Sequence, residues 1–200
     1  LFGIHPMHVE PVVWITARKD TLYAFFYMLA LNNYWQYLKE AKMIPYLLTI
    51  LFGLLSILAK PMALSLPLIF FVCDWLFKRK LGIKILIEKI PHLLVIVPIV
   101  LITYISHARI PGNNFGEASL IWVWTFTFYI QKFIFPFVLI PFYELPQPIS
   151  PFNDRYALMI GFFLFLIFLF FRLRKNRWFI FAVLFYFVSI FFLLRYDNRT

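Results

Sequence analysis

MIPYLLTILFGLLSILA, residues 43–59, is an uncharged run that sets the fold class of this chain. Its length approaches the ~20 residues with which an α-helix crosses the hydrocarbon core of a bilayer. Lys60-Pro61 ends the run, because proline cannot continue the hydrogen-bond ladder of a helix. The stretch therefore predicts a transmembrane helix over residues 43–59.

Further apolar runs of similar length lie on both sides of this stretch. They are separated by short charged or proline-rich segments, which is the usual pattern of membrane topology. The runs cover residues 22–37, 62–77, 92–106, 156–171 and 178–194. Together they predict an all-α, polytopic transmembrane helical bundle with about six crossing helices and one interfacial or re-entrant helix.

Composition supports a membrane protein. Of 200 residues, 63% are apolar and only 14% are charged, against about 25% charged in soluble domains. The net charge of +10 comes from short basic runs between the spans, so we interpret it as orientation and attraction to anionic headgroups. No basic face is left for nucleic acid. Cys73 is the single cysteine, which excludes an intrachain disulfide.

Lysine and arginine also predict the orientation. We expect Lys39 and Lys42, the 78–84 loop and the 172–177 loop to face the cytoplasm, so that residues 3–20 form a motif loop on the outer face.

The position of segment 120–140 relative to the membrane is predicted from the number of crossings. Two loops on the same side need an even number of crossings between them, and spans 92–106 and 156–171 already supply two. Segment 120–140, with Gln131-Lys132 inside it, is therefore predicted to lie at the outer interface or to re-enter among other helices. The alternative is a full crossing, which would place residues 172–177 outside.

Ionisable groups concentrate before the first span. They are His5, His8, Glu10, Arg18 and Asp20. Such groups at a membrane span usually mark a site or pathway. A carboxylate can act as general base on a hydroxyl, and arginine can hold a phosphate with two hydrogen bonds.

Simpler interpretations apply to the same residues. Asp20 suits a helix N-cap, which is worth ~1 kcal/mol, and Arg18 with Lys19 suits headgroup anchoring. Pro6 and Pro11 would keep an interfacial loop extended. The spacing His-x-x-His-x-Glu matches no strong zinc pattern, so no metal site is predicted.

Three blocks of the chain resemble one family. They are His5-Pro-x-His8-x-Glu10 with Arg18-x-Asp20, then Leu58 to Ala63 with Asp74-Trp75, and Phe135-Pro136 with Pro141 to Ser150. These blocks are similar to the transmembrane and tetratricopeptide-repeat O-mannosyltransferases of animals and their bacterial repeat-containing relatives. The resemblance implies a GT-C type glycosyltransferase that moves a sugar from a polyprenyl-phosphate donor to a protein or glycan acceptor on the non-cytoplasmic face.

The resemblance also implies residue roles. Asp20, Glu10 and His8 would be catalytic, Arg18 and Lys60 would bind the donor phosphate, and His5 would support the loop. No cofactor is implied beyond the lipid-linked donor, and the partners are the bilayer, this donor and the acceptor. Asp74, near the inner end of its span, is interpreted as interfacial or structural.

The resemblance further implies that residues 1–200 form a partial GT-C membrane domain, truncated at both ends. An acidic outer loop would precede residue 1 and the repeats would follow residue 200, with an outer loop region at 107–155. The 200 residues alone are expected to be inactive. Phe-, Ile- and Lys-rich usage favours a bacterial inner membrane over the endoplasmic reticulum.

Two other classes remain open. A transporter or flippase of lipid-linked sugars would share the polytopic body but would place polar sites near the bilayer midplane. A non-catalytic membrane anchor for a repeat domain would tolerate replacement of His8, Glu10, Arg18 and Asp20.

The predicted topology can be tested at Arg174. We expect a cysteine introduced at this position to resist a membrane-impermeant thiol reagent in intact cells, because the 172–177 loop is assigned to the cytoplasm. The measurement is labelling before and after permeabilisation. Labelling in intact cells would contradict the topology.

Overall fold

The structure, a computed structural model, describes residues 5–80, 82–106, 115–137, 140 and 143–191. Within these residues every regular element is helical, which confirms the all-α class. In the described part of the chain, three short 3-10 helices accompany eight α-helices. The α-helices are α1 (Val9–Val13), α2 (Arg18–Glu40), α3 (Met43–Ala59), α4 (Leu66–Leu76), α5 (Ile83–Ser106), α6 (Phe115–Ile134), α7 (Asp154–Leu173) and α8 (Arg177–Ile190).

The helix predicted over residues 43–59 is confirmed to the residue, and its crossing of a membrane stays a prediction. Helix α3 ends at Ala59, and Lys60 is extended, with φ −156° and ψ 132°. A 3-10 helix then runs over Pro61–Ser65. Before α3, Ala41 adopts the left-handed conformation, with φ 53°, and its amide hydrogen-bonds to the Tyr37 carbonyl. This tight turn makes α2 and α3 a helical hairpin.

Two other predicted boundaries are wrong. Helix α5 begins at Ile83 rather than at residue 92, because it takes Pro91 into its interior. Helix α6 ends at Ile134 rather than at residue 140, because the residue before Pro136 is disfavoured in helical conformation.

The motif segment at residues 3–20 is more ordered than an extended loop. Within its described part, a 3-10 helix at Pro6–His8, α1 and a 3-10 helix at Ile15–Ala17 follow one another, and α2 begins at Arg18. Pro6 fits because a helix's first turn needs no amide donor. The threonine hydroxyl of Thr21 donates to the Pro11 carbonyl (3.1 Å) and ties α1 to α2.

The chain forms two compact units. The four-helix unit comprises residues 11–108 and 181–189 and contains α2 to α5. The α6–α7 unit comprises residues 1–10, 109–180 and 190–200. Each unit is described by itself below.

One stripe of α2 forms the centre of the four-helix unit. Its members recur every three or four residues, which places them on one helical face. The stripe consists of Asp20, Tyr23, Tyr27, Ala30, Tyr34 and Tyr37. Its middle part packs with Ile57, Leu66, Ile69, Phe70 and Ile96 from the other three helices, and with Phe181, Phe185 and Val188 of α8.

Aromatic packing and one buried hydroxyl hold the α6–α7 unit together. The rings of Trp124 and Tyr156 lie 5.3 Å apart, and Phe126 meets Phe163 edge-on at 5.6 Å. The hydroxyl of Thr127 lies 3.4 Å from the Met159 sulfur. The interfacial or re-entrant position expected of residues 120–140 stays a prediction.

Some predicted features fall outside the described residues. They are the loop at 107–114, part of the Pro-rich block at 138, 139, 141 and 142, and residues 192–194 of the last predicted span.

One described helix, α7, is long and apolar enough to cross a membrane. Only 11% of its apolar window is buried, whereas the core helix of a soluble domain would be largely covered. Apolar helices of 10–17 residues also occur at Met43–Ala59, Pro61–Leu76 and Arg177–Ile190. The described residues thus give one candidate membrane helix, and the number of six crossings stays a prediction.

Around its apolar core, the four-helix unit exposes several large apolar side chains and buries several polar ones. On α3 and α5, Ile44, Leu58, Ile83 and Leu94 are each 67–74% exposed. Thr49, Ser56, Ser65 and Asp74 are fully buried. Soluble monomers rarely expose apolar faces of this extent, and hydroxyl groups between helices are typical of membrane bundles.

A buried carboxylate joins three helices at one end of this unit. Oδ1 of Asp74 in α4 accepts hydrogen bonds from the Tyr34 hydroxyl of α2 and from Arg79, both at 2.8 Å. Its Oδ2 pairs with the Lys89 ammonium of α5 at 2.7 Å. Lys89 also bonds to the Tyr34 hydroxyl. We call Asp74, Tyr34, Lys89, Arg79 and Glu88 the buried charge network.

Glu88 completes the network on its outer side. Arg79 donates two parallel hydrogen bonds to the Glu88 carboxylate, each 2.9 Å long. Hydrogen bonds with Glu88 raise the pKa of Arg79 above its ordinary value. Burial favours a higher pKa for Glu88, but hydrogen bonds from Arg79 and Tyr37 outweigh it and lower that pKa. Both groups therefore stay charged, and two anions balance two cations.

Removing one partner of the buried pair should destabilise the unit. Asp74→Asn leaves the Lys89 ammonium buried without its carboxylate, and such a loss costs about 3–5 kcal/mol. The double variant Asp74→Leu with Lys89→Met removes both charges, and we expect it to recover most of this loss. The measurement is the free energy of unfolding of each variant, determined in detergent micelles.

Lys175→Met serves as control for these variants, since Lys175 is exposed and should change stability by no more than about 0.5 kcal/mol. A double variant as unstable as Asp74→Asn would contradict the pairing argument.

Candidate functional site

Two residues singled out from the sequence meet at the other end of the four-helix unit. The Lys60 ammonium forms an ion pair with Oδ1 of Asp20, although forty positions separate them in sequence. Their side chains are 30% and 29% exposed, respectively. The pair is thus neither sealed in the core nor fully solvated.

Asp20 is not the N-cap that its position suggested. The cap of α2 is Ala17, which makes no side-chain capping bond, and Asp20 is the third residue of the helix. Its charge still lies in the first turn, where an anion is favourable beside the positive end of the helix dipole. The carboxylate is therefore available to Lys60.

Hydroxyl groups hold the two chain segments that carry this pair. The Ser56 hydroxyl donates to the Tyr23 carbonyl at 3.0 Å, joining α3 to the second turn of α2. The Tyr27 hydroxyl lies 3.0 Å from that of Ser65 in the 3-10 helix after Lys60. These two links lie on either side of Lys60 in sequence, and they fix it opposite Asp20.

Arg18 and Lys19 add positive charge at this end. Both side chains are exposed, and among described residues no ion pair joins either one to a carboxylate. Since Asp20 and Lys60 neutralise each other, the start of α2 is left with two positive charges. This is the electrostatic setting in which a phosphate group binds.

His5 and His8 lie in the α6–α7 unit. The Nε2 atom of His5 donates to the Phe133 carbonyl at 2.8 Å, and its Nδ1 accepts from the Met7 amide at 3.3 Å. Its ring also stacks on Phe133, with centroids 4.8 Å apart. The His8 ring meets the His5 ring edge-on at 6.1 Å. The Glu10 side chain lies outside the described residues.

The described part of the chain contains no cluster of residues that could bind a metal ion. No three His, Cys, Asp or Glu side chains come together there in a way that could hold an ion. Both ring nitrogens of His5 are used in hydrogen bonds with the protein.

A comparison with curated proteins finds one similarity that agrees with the sequence resemblance. The chain is 31% identical over 100 residues to the protein O-mannosyl-transferase TMTC4 of Mus musculus. The match covers 46% of this chain and 14% of the mouse protein, so the chain spans about one seventh of that relative's length. No protein-family model and no solved structure matches the chain.

The similarity supports a distant relationship to an O-mannosyl-transferase. The bacterial inner membrane expected from residue usage gains no support, because the matching protein comes from a mouse. The repeats expected after residue 200 stay a prediction.

Sequence reasoning missed the residues that position the pair. Tyr23, Ser56, Tyr27 and Ser65 lie within the predicted apolar runs 22–37, 43–59 and 62–77, and the sequence predicts no role for them in a site. The signal was their polarity, since a hydroxyl inside an apolar helix needs a partner and usually finds it on a neighbouring helix.

The His5 contacts can be tested through hydrogen exchange. His5→Phe keeps a ring for stacking on Phe133 but removes the acceptor of the Met7 amide. We expect Met7 to exchange about fivefold faster, which corresponds to one lost hydrogen bond of ~1 kcal/mol.

The His8 amide is the internal control, because it donates to the backbone carbonyl of His5, which the substitution leaves in place. An unchanged Met7 rate would contradict the assigned hydrogen bond.

Proposed function

We propose that this chain is part of a membrane glycosyltransferase that uses a polyprenyl-phosphate sugar as donor. The Asp20–Lys60 pair is its reaction centre, on the non-cytoplasmic face. The similarity to a mouse O-mannosyl-transferase supports a mannose donor and a protein hydroxyl acceptor.

The pair suits sugar transfer because each member has a task once a donor binds. The Lys60 ammonium moves from the Asp20 carboxylate to the donor phosphate, with Arg18 as a second phosphate ligand. The freed carboxylate accepts the proton of the acceptor hydroxyl. The acceptor oxygen then bonds to the anomeric carbon, the bond from that carbon to the phosphate oxygen breaks, and polyprenyl phosphate leaves.

The observation that carries the proposal is the meeting of Asp20 and Lys60. The resemblance implied a catalytic role for Asp20 and donor-phosphate binding for Lys60, and the fold brings the two side chains together at a partly exposed position, two residues along the chain from Arg18. The role of Glu10 and His8 as further catalytic residues, and of His5 as loop support, belongs to the same proposal.

A transporter of lipid-linked sugars is less well supported. Such a protein needs ionisable or broken-helix sites near the middle of the membrane. In the four-helix unit the ion pairs of the described residues lie towards the helix ends, in the Asp20–Lys60 pair, the Glu40–Lys42 pair and the buried charge network, although His92 of α5 is buried outside these pairs. A plain membrane anchor differs from an enzyme in tolerating loss of the pair.

Exchanging the charges of Asp20 and Lys60 distinguishes a catalytic role of the pair from a purely structural one. Asp20→Asn, Lys60→Gln and the exchange Asp20→Lys with Lys60→Asp are compared with the unmodified protein, each at full natural length in membranes. The assay is transfer of radiolabelled mannose from polyprenyl-phosphate mannose to protein.

We expect Asp20→Asn to lower transfer by at least about a hundredfold, the size of a general-base contribution. The exchanged variant should restore the thermal stability of the pair while transfer stays lost, because the base and the phosphate ligand have traded places. Transfer restored by the exchange, or unchanged in Asp20→Asn, would overturn the proposal.

A further inference from the structure

A second charged surface lies at the end of the four-helix unit opposite the Asp20–Lys60 pair. The α2–α3 turn and the α4–α5 loop meet there, since Arg79 lies over the Tyr37 ring at 5.9 Å and Trp35 packs on Phe77 at 4.6 Å. Five exposed lysines surround this point, and we call them the basic end. They are Lys39, Lys42, Lys78, Lys80 and Lys84.

The backbone turn after α4 directs the Arg79 side chain to the buried charge network and leaves the Lys78 and Lys80 side chains at the surface. Lys78 adopts the left-handed conformation, with φ 58°, and the Arg79 amide returns to the Asp74 carbonyl at 3.0 Å. This reversal brings the Arg79 guanidinium onto Asp74 and Glu88 and leaves Lys78 and Lys80 exposed. A residue other than glycine is costly in this conformation, so the arrangement is a specific feature of the loop.

The acidic groups at this end are already paired. Asp74 and Glu88 are balanced by Arg79 and Lys89 inside the network, and Glu40 pairs with Lys42 at 2.7 Å. Within the described part of this unit, no carboxylate at this end is left to neutralise Lys39, Lys78, Lys80 and Lys84. The surface therefore carries an uncompensated charge of four.

Exposed apolar side chains adjoin these lysines. Met43 and Ile44 follow Lys42 on α3, and Ile83 and Leu86 flank Lys84 on α5. All four are 54–74% exposed. A cationic rim beside an apolar belt matches a phospholipid, with its phosphate at the rim and its acyl chains along the belt. A polynucleotide would use the lysines but leave the apolar belt in water.

We propose that the basic end binds the headgroups of anionic phospholipids. The site lies at the far end of α2 from Asp20, and 20 residues of helix correspond to about 30 Å. It is therefore separate from the proposed donor site and does not depend on sugar transfer.

Lipid selectivity in nanodiscs tests the proposal. The chain is reconstituted in phosphatidylcholine nanodiscs with spin-labelled phosphatidylglycerol or spin-labelled phosphatidylcholine, and electron spin resonance gives the fraction of each probe that the protein holds. Both leaflets have the same composition, so the result does not depend on orientation.

We expect the unmodified chain to prefer phosphatidylglycerol about fivefold, and the triple variant Lys78→Gln, Lys80→Gln, Lys84→Gln to show no preference. The matched triple change to arginine should keep the preference, because charge is conserved. Lys19→Gln, at the opposite end, should also keep it. Molar salt should abolish the preference by screening.

Two results would overturn the proposal. One is a full preference in the glutamine variant with an unchanged thermal midpoint. The other is an equal loss in Lys19→Gln, which would assign the effect to net charge rather than to the basic end.

Discussion

The Asp74 carboxylate is the interaction on which the four-helix unit depends. It has no contact with solvent, and it receives bonds from α2, from α5 and from the loop after α4. A buried charge is tolerable only when its partners are all in place. Its presence therefore requires that α2, α4 and α5 reach one arrangement, and the α2–α3 hairpin then brings Lys60 back to Asp20 at the other end.

The two ends of the unit use charge in different ways. The buried charge network is closed and neutral, because each charged group in it is paired with an opposite charge inside the protein. The Asp20–Lys60 pair is partly exposed, and two further cations, Arg18 and Lys19, precede Asp20 in the chain. A closed network stabilises a fold, whereas an open pair can exchange partners with a ligand. This difference in exposure, rather than the presence of charge, distinguishes support from a candidate reaction centre.

Much of this fold could be predicted from rules that relate neighbouring residues, but contacts between residues far apart in sequence could not. Residues 43–59 could be assigned exactly as far as Lys60-Pro61 because proline acts on its own neighbours. Asp20 and Lys60 could be named as candidates from their residue types and a resemblance, but nothing in the sequence gave their contact across forty positions. Lys89 was not singled out at all, because α5 was expected to begin after it. Glu10 stays a candidate by sequence only.

The left-handed turn at Ala41 has a consequence for how Asp20 meets Lys60. A turn this short joins α2 and α3 into one hairpin, so the forty positions between the two residues are taken up by two packed helices and the pair closes the open end of a single hairpin. In a bilayer, such a hairpin would carry the two charges together. Since a lone charge in hydrocarbon is expensive, a neutral couple would cost less to move than two separate ions.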